Sequence, residues 1–290
     1  MVACDNAIAG DVAIAGPLLP LIRQFARGAY GIALGGAHAK GVADTESDLD
    51  LYLFAREVLP AEQRDRLCQA WGMGIQSVVS WGAPGAFVQG GTDFYVGGLK
   101  VECWLRNVDY VDEIVDECQR GIARREFVTW TVMGFYRHCT LSDLHNMRPL
   151  ADPDGVLARW KAAVSVYPPK LRATILETHL KAAQFWPDNF HYRTAVERKD
   201  VIYTTGIVQQ VVHNLIQVLF ALNRVYFPGD KKLALALEHL ERKPPRVGPR
   251  LVDLLSPGGG RDRASLERQR DNLCALVHEV AALVAQVEQP

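Results

Sequence analysis

The hydrophobic periodicity of the sequence changes near Val111, and this change limits the folds that the chain can adopt. Before that point, apolar and polar residues alternate in short segments, which is typical of half-buried β-strands. After it, apolar residues recur every three to four positions between prolines, which is typical of helices. The sequence therefore predicts an α+β protein. Residues 1–115 should form a mixed sheet with flanking helices, and residues 116–290 an all-helical bundle.

The composition describes a globular protein whose charges nearly cancel. The 290 residues include 32 Lys and Arg against 33 Asp and Glu, which gives a formal net charge of −1. Such a chain lacks the broad positive field with which proteins bind long nucleic acids, so a polynucleotide partner is disfavoured. The six cysteines form neither a C-x-x-C pair nor a cluster at zinc-ligand spacing, and we expect reduced thiols.

Two apolar segments raise the question of a membrane, and neither has the pattern of a membrane segment. The segment before Leu21 contains Asp5 and Asp11 and lacks a positively charged start, so it is not predicted to be a signal peptide. The segment from Val201 to Leu222 is interrupted by polar side chains and is predicted to be a buried helix. We expect a cytoplasmic protein that makes no membrane contact.

Two predicted strands carry carboxylates beside apolar neighbours. In the first strand, Asp48 to Phe54, every second residue is a leucine: Leu49, Leu51 and Leu53. Asp48 and Asp50 therefore project from one face and can bind a hard cation through oxygen, as Mg²⁺ requires. In the second strand, Lys100 to Leu105, the same alternation makes Glu102 a third carboxylate on one face.

A glycine pair precedes these aspartates and completes a recognisable pattern. Gly35 and Gly36 end a predicted strand, and a polar loop of eleven residues separates them from Asp48. Glycines allow backbone amides to approach a phosphate, and a following helical turn would direct its N–H groups at the same charge. Together, the glycine pair, the loop and the aspartates resemble the signature of the DNA polymerase β-like nucleotidyltransferases.

The resemblance is to the small-molecule branch, which includes the aminoglycoside and lincosamide nucleotidyltransferases. There, a motif such as G-G-S-x-A-R-G precedes S-D-x-D, and the counterparts here are Gly35-Gly36-Ala37-His38-Ala39-Lys40-Gly41 and Ser47-Asp48-Leu49-Asp50. Ala37 replaces a serine whose hydroxyl could bind phosphate. Lys40 replaces an arginine, which keeps the charge but loses the bidentate fork. Looser likeness continues through Arg148–Asp154, Tyr167–Pro169 and Leu222–Lys231.

The resemblance implies a nucleotidyltransferase domain at residues 1–115 and a helical substrate-binding domain at residues 116–290. The implied reaction transfers a nucleoside monophosphate, AMP by expectation, to a hydroxyl of a small molecule such as an antibiotic, and releases pyrophosphate. One or two Mg²⁺ ions and ATP or another nucleoside triphosphate would serve as cofactor and co-substrate. The implied catalytic and metal-binding residues are Asp48, Asp50 and Glu102. The implied triphosphate contacts are Gly35, Gly36, Ala37, Lys40 and Lys231.

Several alternatives stay open at the level of the sequence. Glu102 could be a third metal ligand, a general base or an ordinary solvent-facing residue. An Asp-x-Asp pair also occurs as a turn cap, and Lys231 could be part of a solvated helix start. Glu197 is a second candidate base, although its charged neighbours also suit a solvated first helical turn.

The acceptor and the partners are open as well. Some antitoxin-type relatives place the nucleotide on a protein side chain or an RNA end. The loss of the serine at Ala37 also allows a protein that binds a nucleotide without transferring it. Many relatives pair through the helical half, so the resemblance leaves a homodimer open.

Overall fold

A computed structural model describes residues 15–82, 88–256 and 262–288, and it confirms the predicted α+β class. Asp5, Asp11 and Cys4 lie outside the described residues. The sequence also predicts a strand at Ile75–Trp81, a glycine-rich loop at Gly82–Gly91, a break at Pro257–Gly260 and a last helix at Ala264–Val287. Residues 83–87 of the loop and the whole of the break lie outside the described residues. The strands are β1 (Ala26–Leu34), β2 (Leu49–Val58), β3 (Gln76–Trp81), β4 (Val88–Val96), β5 (Leu99–Asn107), β6 (Arg125–Glu126), β7 (Phe135–Tyr136) and β8 (Arg148–Ala151).

The described helices follow in the same chain order, after a short 3₁₀ turn at Gly16–Leu18. They are α1 (Leu19–Arg23), α2 (Gly36–Lys40), α3 (Ala61–Ala70), α4 (Val108–Arg120), α5 (Cys139–Asn146), α6 (Val156–Ala163), α7 (Pro169–Gln184), α8 (Phe190–Glu197), α9 (Val201–Leu222), α10 (Leu233–Glu238), α11 (Val247–Leu255) and α12 (Arg263–Glu288). The predicted strands and the two longest predicted helices are all present, with ends that move by a few residues.

The chain divides into two compact units, and each is described by itself. The first consists of residues 1–116 and 140–166, and the second of residues 117–139 and 167–290. Residues 140–166 belong to the first unit because they include β8, which pairs with β1 at the edge of the sheet. The assignment of residues 1–115 and 116–290 to catalysis and substrate binding stays a prediction.

The first unit is built around a six-stranded sheet in the order β3-β4-β5-β2-β1-β8. Only β2 and β5 are parallel, and the other neighbours are antiparallel, so the sheet is mixed as predicted. The alternating residues of β2 and β5 bury one face of this sheet against α1 and α3. That core includes Leu49, Leu51, Leu53, Val101, Cys103 and Leu105.

The opposite face of β2 is more buried than its polar start suggests. Phe54 is fully buried and packs edge-to-face on Trp160 of α6, with ring centroids 5.0 Å apart. Tyr52 is also buried, under the guanidinium of Arg106 at 4.1 Å from the ring centroid. The more exposed residues of β2 therefore lie at its two ends, with Asp50 near the start and Arg56–Val58 at the end.

A buried arginine connects α3 to the outer strands of the sheet. The guanidinium of Arg64 donates to the Gly91 carbonyl at 2.6 Å, to Thr92 Oγ1 at 2.6 Å and to the Trp81 carbonyl at 3.1 Å. A buried cation is stable only where its donors are satisfied. Arg64 therefore helps to position β3 and β4 beside β5.

The second unit is mostly helical, and α9 is its central helix. Within the described residues, α9 is the one helix that is long and apolar enough to cross a membrane, but 78% of its most apolar window is buried in the protein. This is the buried helix that was predicted. The spacing of the sequence also predicts that the buried stripe of this helix begins with Val201, Thr205 and Val208. This is wrong at Thr205, which is exposed, while Thr204 is buried instead.

Three short strands after Val111 depart from the predicted helical pattern. β6 and β7 form a two-stranded ladder in the second unit, and β8 is the edge strand of the first. The β8 segment has only four residues and contains Pro149, which a strand tolerates at an edge. A segment this short has no periodicity that sequence analysis could use.

Candidate active site

Three carboxylates lie in one row across neighbouring strands of the first unit. Asp50 on β2 is paired in register with Glu102 on the parallel strand β5, and Glu102 is paired with Asp93 on β4. Partner residues of adjacent strands project from the same face of a sheet, so the three side chains are neighbours. We call Asp93, Glu102 and Asp50 the carboxylate row.

The glycine pair lies directly beside the carboxylate row. The Gly35 N–H donates to the Asp50 carbonyl at 2.8 Å, and the Gly36 N–H donates to the Tyr52 hydroxyl at 3.3 Å. A Cβ on Gly36, where φ is +57°, would lie 1.7 Å from Asp50 Oδ2. A Cβ on Gly35 would lie 2.2 Å from Cζ of Tyr52. Only glycine allows this contact between the turn and the carboxylate.

The helical turn predicted after the glycines is present as α2, which contains Ala37 and Lys40. It ends at Gly41, whose φ of +70° is the left-handed conformation common after a helix. Arg148 of β8 donates to the Ala39 carbonyl at 2.8 Å and so ties the end of α2 to the sheet. The Lys40 side chain is exposed. Its predicted contact with a triphosphate stays a prediction.

Asp48 precedes β2 and is connected to Glu102 through Lys100. The Lys100 ammonium donates to Asp48 Oδ2 at 3.1 Å and also to Glu102 Oε1. The two carboxylates raise the pKa of Lys100 above its ordinary value. Glu102 is therefore not an ordinary solvent-facing strand residue, since its side chain is 22% exposed and ion-paired.

Asp50 is held in an environment that disfavours its charge. Its pKa is raised from 3.8 to about 6, mainly by burial and then by neighbouring carboxylates. Those carboxylates are, in order of effect, Glu102, Asp48 and Asp143. Arg106 opposes the shift, but its guanidinium also pairs with Asp143 at 2.8 Å. The site thus has an excess of negative charge around Asp50, which an added cation would relieve.

Asp93 was not identified from the sequence. It lies on β4, and burial, followed by the nearby Glu102, raises its pKa, while a hydrogen bond from Trp81 opposes the shift. The preceding residues, Gly82–Gly91, were predicted to form a glycine-rich loop, and no strand was predicted between that loop and Lys100. The alternation of Thr92, Phe94 and Val96 with Asp93 and Tyr95 is the signal that could have revealed it.

The carboxylates beside the glycine turn supply oxygen donors, but they are not arranged as a formed metal site. Among the described residues, no three His, Cys, Asp or Glu side chains are arranged to hold a metal ion. Oxygen donors of the kind that Mg²⁺ prefers are present in Asp48, Asp50 and Glu102. The Lys100 ammonium contacts two of these three carboxylates. The donor chemistry therefore fits Mg²⁺, although two of the three carboxylates contact a lysine ammonium in this structure.

The remaining predicted residues belong to the second unit. Lys231 is exposed in the segment between α9 and α10, and Glu197 is exposed at the end of α8. Asp200 caps α9 by accepting from the Tyr203 N–H at 3.1 Å. The charged run around Glu197 thus includes a helix cap. The contact of Lys231 with a triphosphate stays a prediction.

The described site places a glycine turn beside clustered carboxylates. Comparison with known proteins adds two findings. A family described as a domain of unknown function, DUF4037, matches residues 136–233. The chain is also similar to the crystal structure of a nucleotidyltransferase-like protein from Exiguobacterium sibiricum, with a TM-score of 0.43 and 10% identity over 89% of this chain and 73% of that one. No curated protein matches.

Proposed function

We propose that this protein is a Mg²⁺-dependent nucleotidyltransferase that moves a nucleoside monophosphate from a triphosphate to a hydroxyl of a small molecule. AMP from ATP is the proposed group, and an antibiotic of the aminoglycoside or lincosamide kind is the proposed acceptor. Transfer to such a drug would make the protein a resistance enzyme. The observation that carries the proposal is the contact between Gly36 and the Asp50 carboxylate, next to Glu102 on the neighbouring strand.

This contact supports nucleotidyl transfer because the reaction needs two functions side by side. A turn free of Cβ atoms lets a phosphate approach the backbone closely, and carboxylates can hold the cation that accompanies it. Asp48, Asp50 and Glu102 would hold one or two Mg²⁺ ions. When bound, Mg²⁺ supplies stabilisation of the negative charge on the phosphate oxygens and on the leaving pyrophosphate.

The protein's own residues would orient the reactants and accept a proton. The acceptor oxygen forms a bond to the α-phosphorus, and the bond from that phosphorus to the pyrophosphate oxygen breaks. The hydroxyl proton passes to a carboxylate, for which Glu102 is the first candidate if it is not a metal ligand. Asp93, paired with Glu102 in register, is the second candidate. Either arrangement uses residues of the first unit alone.

The first test measures nucleotide binding before any acceptor is known. Calorimetric titration with a non-hydrolysable ATP analogue should show Mg²⁺-dependent binding, and the double variant Asp48→Asn and Asp50→Asn should lose about a hundredfold or more in affinity. Asp253→Asn, an exposed carboxylate of the second unit, is the matched control and should bind as the wild type does. Equal affinity in the double variant would contradict the proposed site.

The second test measures turnover. We expect pyrophosphate release when the protein, Mg²⁺ and one of the four nucleoside triphosphates meet an acceptor from an aminoglycoside and lincosamide panel. If nucleotide binds but no panel member reacts, mass spectrometry of candidate partner proteins and of tRNA would test transfer to a macromolecule. Binding without transfer to any acceptor would leave a nucleotide-binding protein.

A further inference from the structure

Lys100 occupies an unusual position for a cation in a site that should bind metal. Its ammonium bridges Asp48 and Glu102, two of the three proposed ligands, from the same strand as Glu102. Carboxylate oxygens that accept from an ammonium cannot at the same time bind a metal with the same lone pairs. The amino group and a divalent ion would therefore compete for these oxygens, and their like charges would repel each other.

We propose that Lys100 is a built-in counter-ion that must leave Asp48 and Glu102 before Mg²⁺ can bind, so that free metal binds weakly and metal with triphosphate binds well. This inference rests on the proposed function, because it assumes that these carboxylates hold the metal. It assigns Lys100 a positioning role: the residue keeps the site closed to a bare cation, and its charge becomes available to the triphosphate when it is displaced.

The environment of Lys100 allows such a displacement. The side chain is 33% exposed, and the carboxylates it joins are 39% exposed at Asp48 and 22% exposed at Glu102. A lysine has a flexible stem and a compact, strongly hydrated ammonium, so its move into water costs little once another cation replaces it. Buried Arg106 differs, because it is packed over Tyr52 and paired with Asp143. Lys100 is thus the cation of this site best able to move.

The competition predicts that removing the lysine charge strengthens the binding of bare metal. In the absence of nucleotide, Mn²⁺ binding followed by the electron paramagnetic resonance signal of free Mn²⁺ should tighten at least about tenfold in Lys100→Met. Lys100→Arg keeps the charge and should not tighten. Lys181→Met, which removes an exposed lysine charge on α7, is the matched control and should leave the affinity unchanged.

The triphosphate provides a second readout. In the wild type, adding the ATP analogue should strengthen Mn²⁺ binding strongly, because the displaced ammonium gains an anionic partner. In Lys100→Met this enhancement should shrink by about tenfold or more. Lys100→Gln, which is neutral but still a hydrogen-bond donor, should behave like Lys100→Met and gives the same measurement if the methionine variant does not fold.

The outcomes separate this inference from the proposed function. If Asp50→Asn abolishes Mn²⁺ binding while Lys100→Met and Lys100→Gln bind no more tightly than the wild type, the metal site stands and the role of Lys100 is refuted. If Mn²⁺ binding in the presence of the ATP analogue is the same in the wild type and in the Asp48→Asn and Asp50→Asn double variant, the metal site itself is refuted. A tighter Lys100→Met that loses its affinity on adding Asp50→Asn supports both.

Discussion

The carboxylate row of the first unit and a histidine cluster of the second unit both place titratable groups next to one another. They differ in charge, because the first region contains charged groups at neutral pH and the second contains neutral ones. In the histidine cluster, three imidazoles surround Tyr136 with ring centroids 5.5, 5.7 and 5.1 Å away: His138, His179 and His213. All three histidines are buried. In the carboxylate row the groups are partly exposed and an ammonium lies among them.

The histidine cluster combines two neutral hydrogen bonds with two buried ring nitrogens, His138 Nδ1 and His213 Nε2, that have no partner among the described residues. His138 Nε2 donates to Gln217 Oε1 at 3.0 Å, and His179 Nδ1 donates to Asn214 Oδ1 at 2.6 Å. Burial lowers the pKa of His138 and of His213 to about 4, and it also lowers the pKa of His179. These side chains are therefore uncharged at neutral pH. The cluster is therefore a buried, uncharged part of the second unit.

The two regions differ in whether charge is left without full compensation. Burial raises the pKa of Asp50 but leaves a charged partner, Lys100, in contact with its neighbours. Half-buried charge is expected at functional sites, whereas buried titratable groups without charge are compatible with a core. The carboxylate row therefore stores unfavourable electrostatic energy, and the histidine cluster avoids it at neutral pH.

The largest predicted effect concerns the glycine turn that contacts the carboxylate row. Gly36→Ala places a methyl group against Asp50 Oδ2 in a backbone conformation with φ of +57°. We expect a loss of about 3 kcal/mol in the free energy of unfolding, from backbone strain and from the displaced carboxylate together. Chemical denaturation followed by circular dichroism measures this, and nucleotide binding should be lost as well.

Gly28→Ala separates these two causes. Gly28 also has a positive φ, of +75°, but a Cβ there would meet nothing within 4 Å. This variant should lose only about 1 kcal/mol, the cost of the backbone conformation alone. If both variants lose the same stability, the close contact between Gly36 and Asp50 does not exist, and the proposed site would be weakened with it.

The next effect concerns the histidine cluster and its response to acid. A histidine with a folded pKa of about 4 binds protons less readily than the unfolded chain, for which the value is 6.5. Stability is therefore full above pH 6.5 and is lost as the pH falls towards 4. His213→Phe keeps a ring beside Tyr136 but cannot be protonated, so it should reduce the stability lost between pH 7 and pH 5 by about 2 kcal/mol.

Denaturation with urea at pH 7 and pH 5 measures this difference. His239→Phe changes an exposed histidine of the same unit and serves as the matched control, with the pH dependence of the wild type. An unchanged slope in His213→Phe would show that His213 is not buried in its neutral form. The histidine cluster would then no longer differ from the carboxylate row in the charge of its groups.

Sequence analysis identified the parts of the site that follow from periodicity. The alternation of leucines fixed the face on which Asp50 projects, and the alternation around Glu102 did the same on β5. The pairing of these strands in parallel register is a tertiary property. No local pattern specifies it, so the proximity of Lys100 to Asp48 could not be predicted either.

Asp93 was missed for a specific physical reason. Gly90 and Gly91 suggested a loop, but both lie within β4. They are glycines because β3 passes too close to leave room for a Cβ. A Cβ on Gly90 would lie 1.9 Å from the Trp81 carbonyl oxygen, and a Cβ on Gly91 would lie 2.7 Å from the Trp81 ring. Glycine in a strand can mark such a close approach, and this requirement is visible only when the neighbouring strand is known.

The smallest predicted effect has the opposite sign and tests the carboxylate side of the comparison. The folded pKa of Asp50, about 6, lies above the unfolded value of 3.8, so the folded state holds the proton more tightly between these values. Stability is therefore lost as the pH rises from about 4 to about 6, and the whole penalty is present above pH 6.

Asp50→Asn removes this penalty and should stabilise the protein by about 1 kcal/mol at pH 7.5, although it should abolish metal binding. The variant no longer gains stability on acidification, so the stability that it loses between pH 7 and pH 5 should be about 1 kcal/mol larger than in the wild type. His213→Phe changes the same quantity in the opposite direction. Asp253→Asn, at an exposed position, should show neither change. If Asp50→Asn is destabilised at pH 7.5, the ionised carboxylate is favoured by its surroundings. The carboxylate row would then be a satisfied ion-pair network and would have no uncompensated charge for a metal.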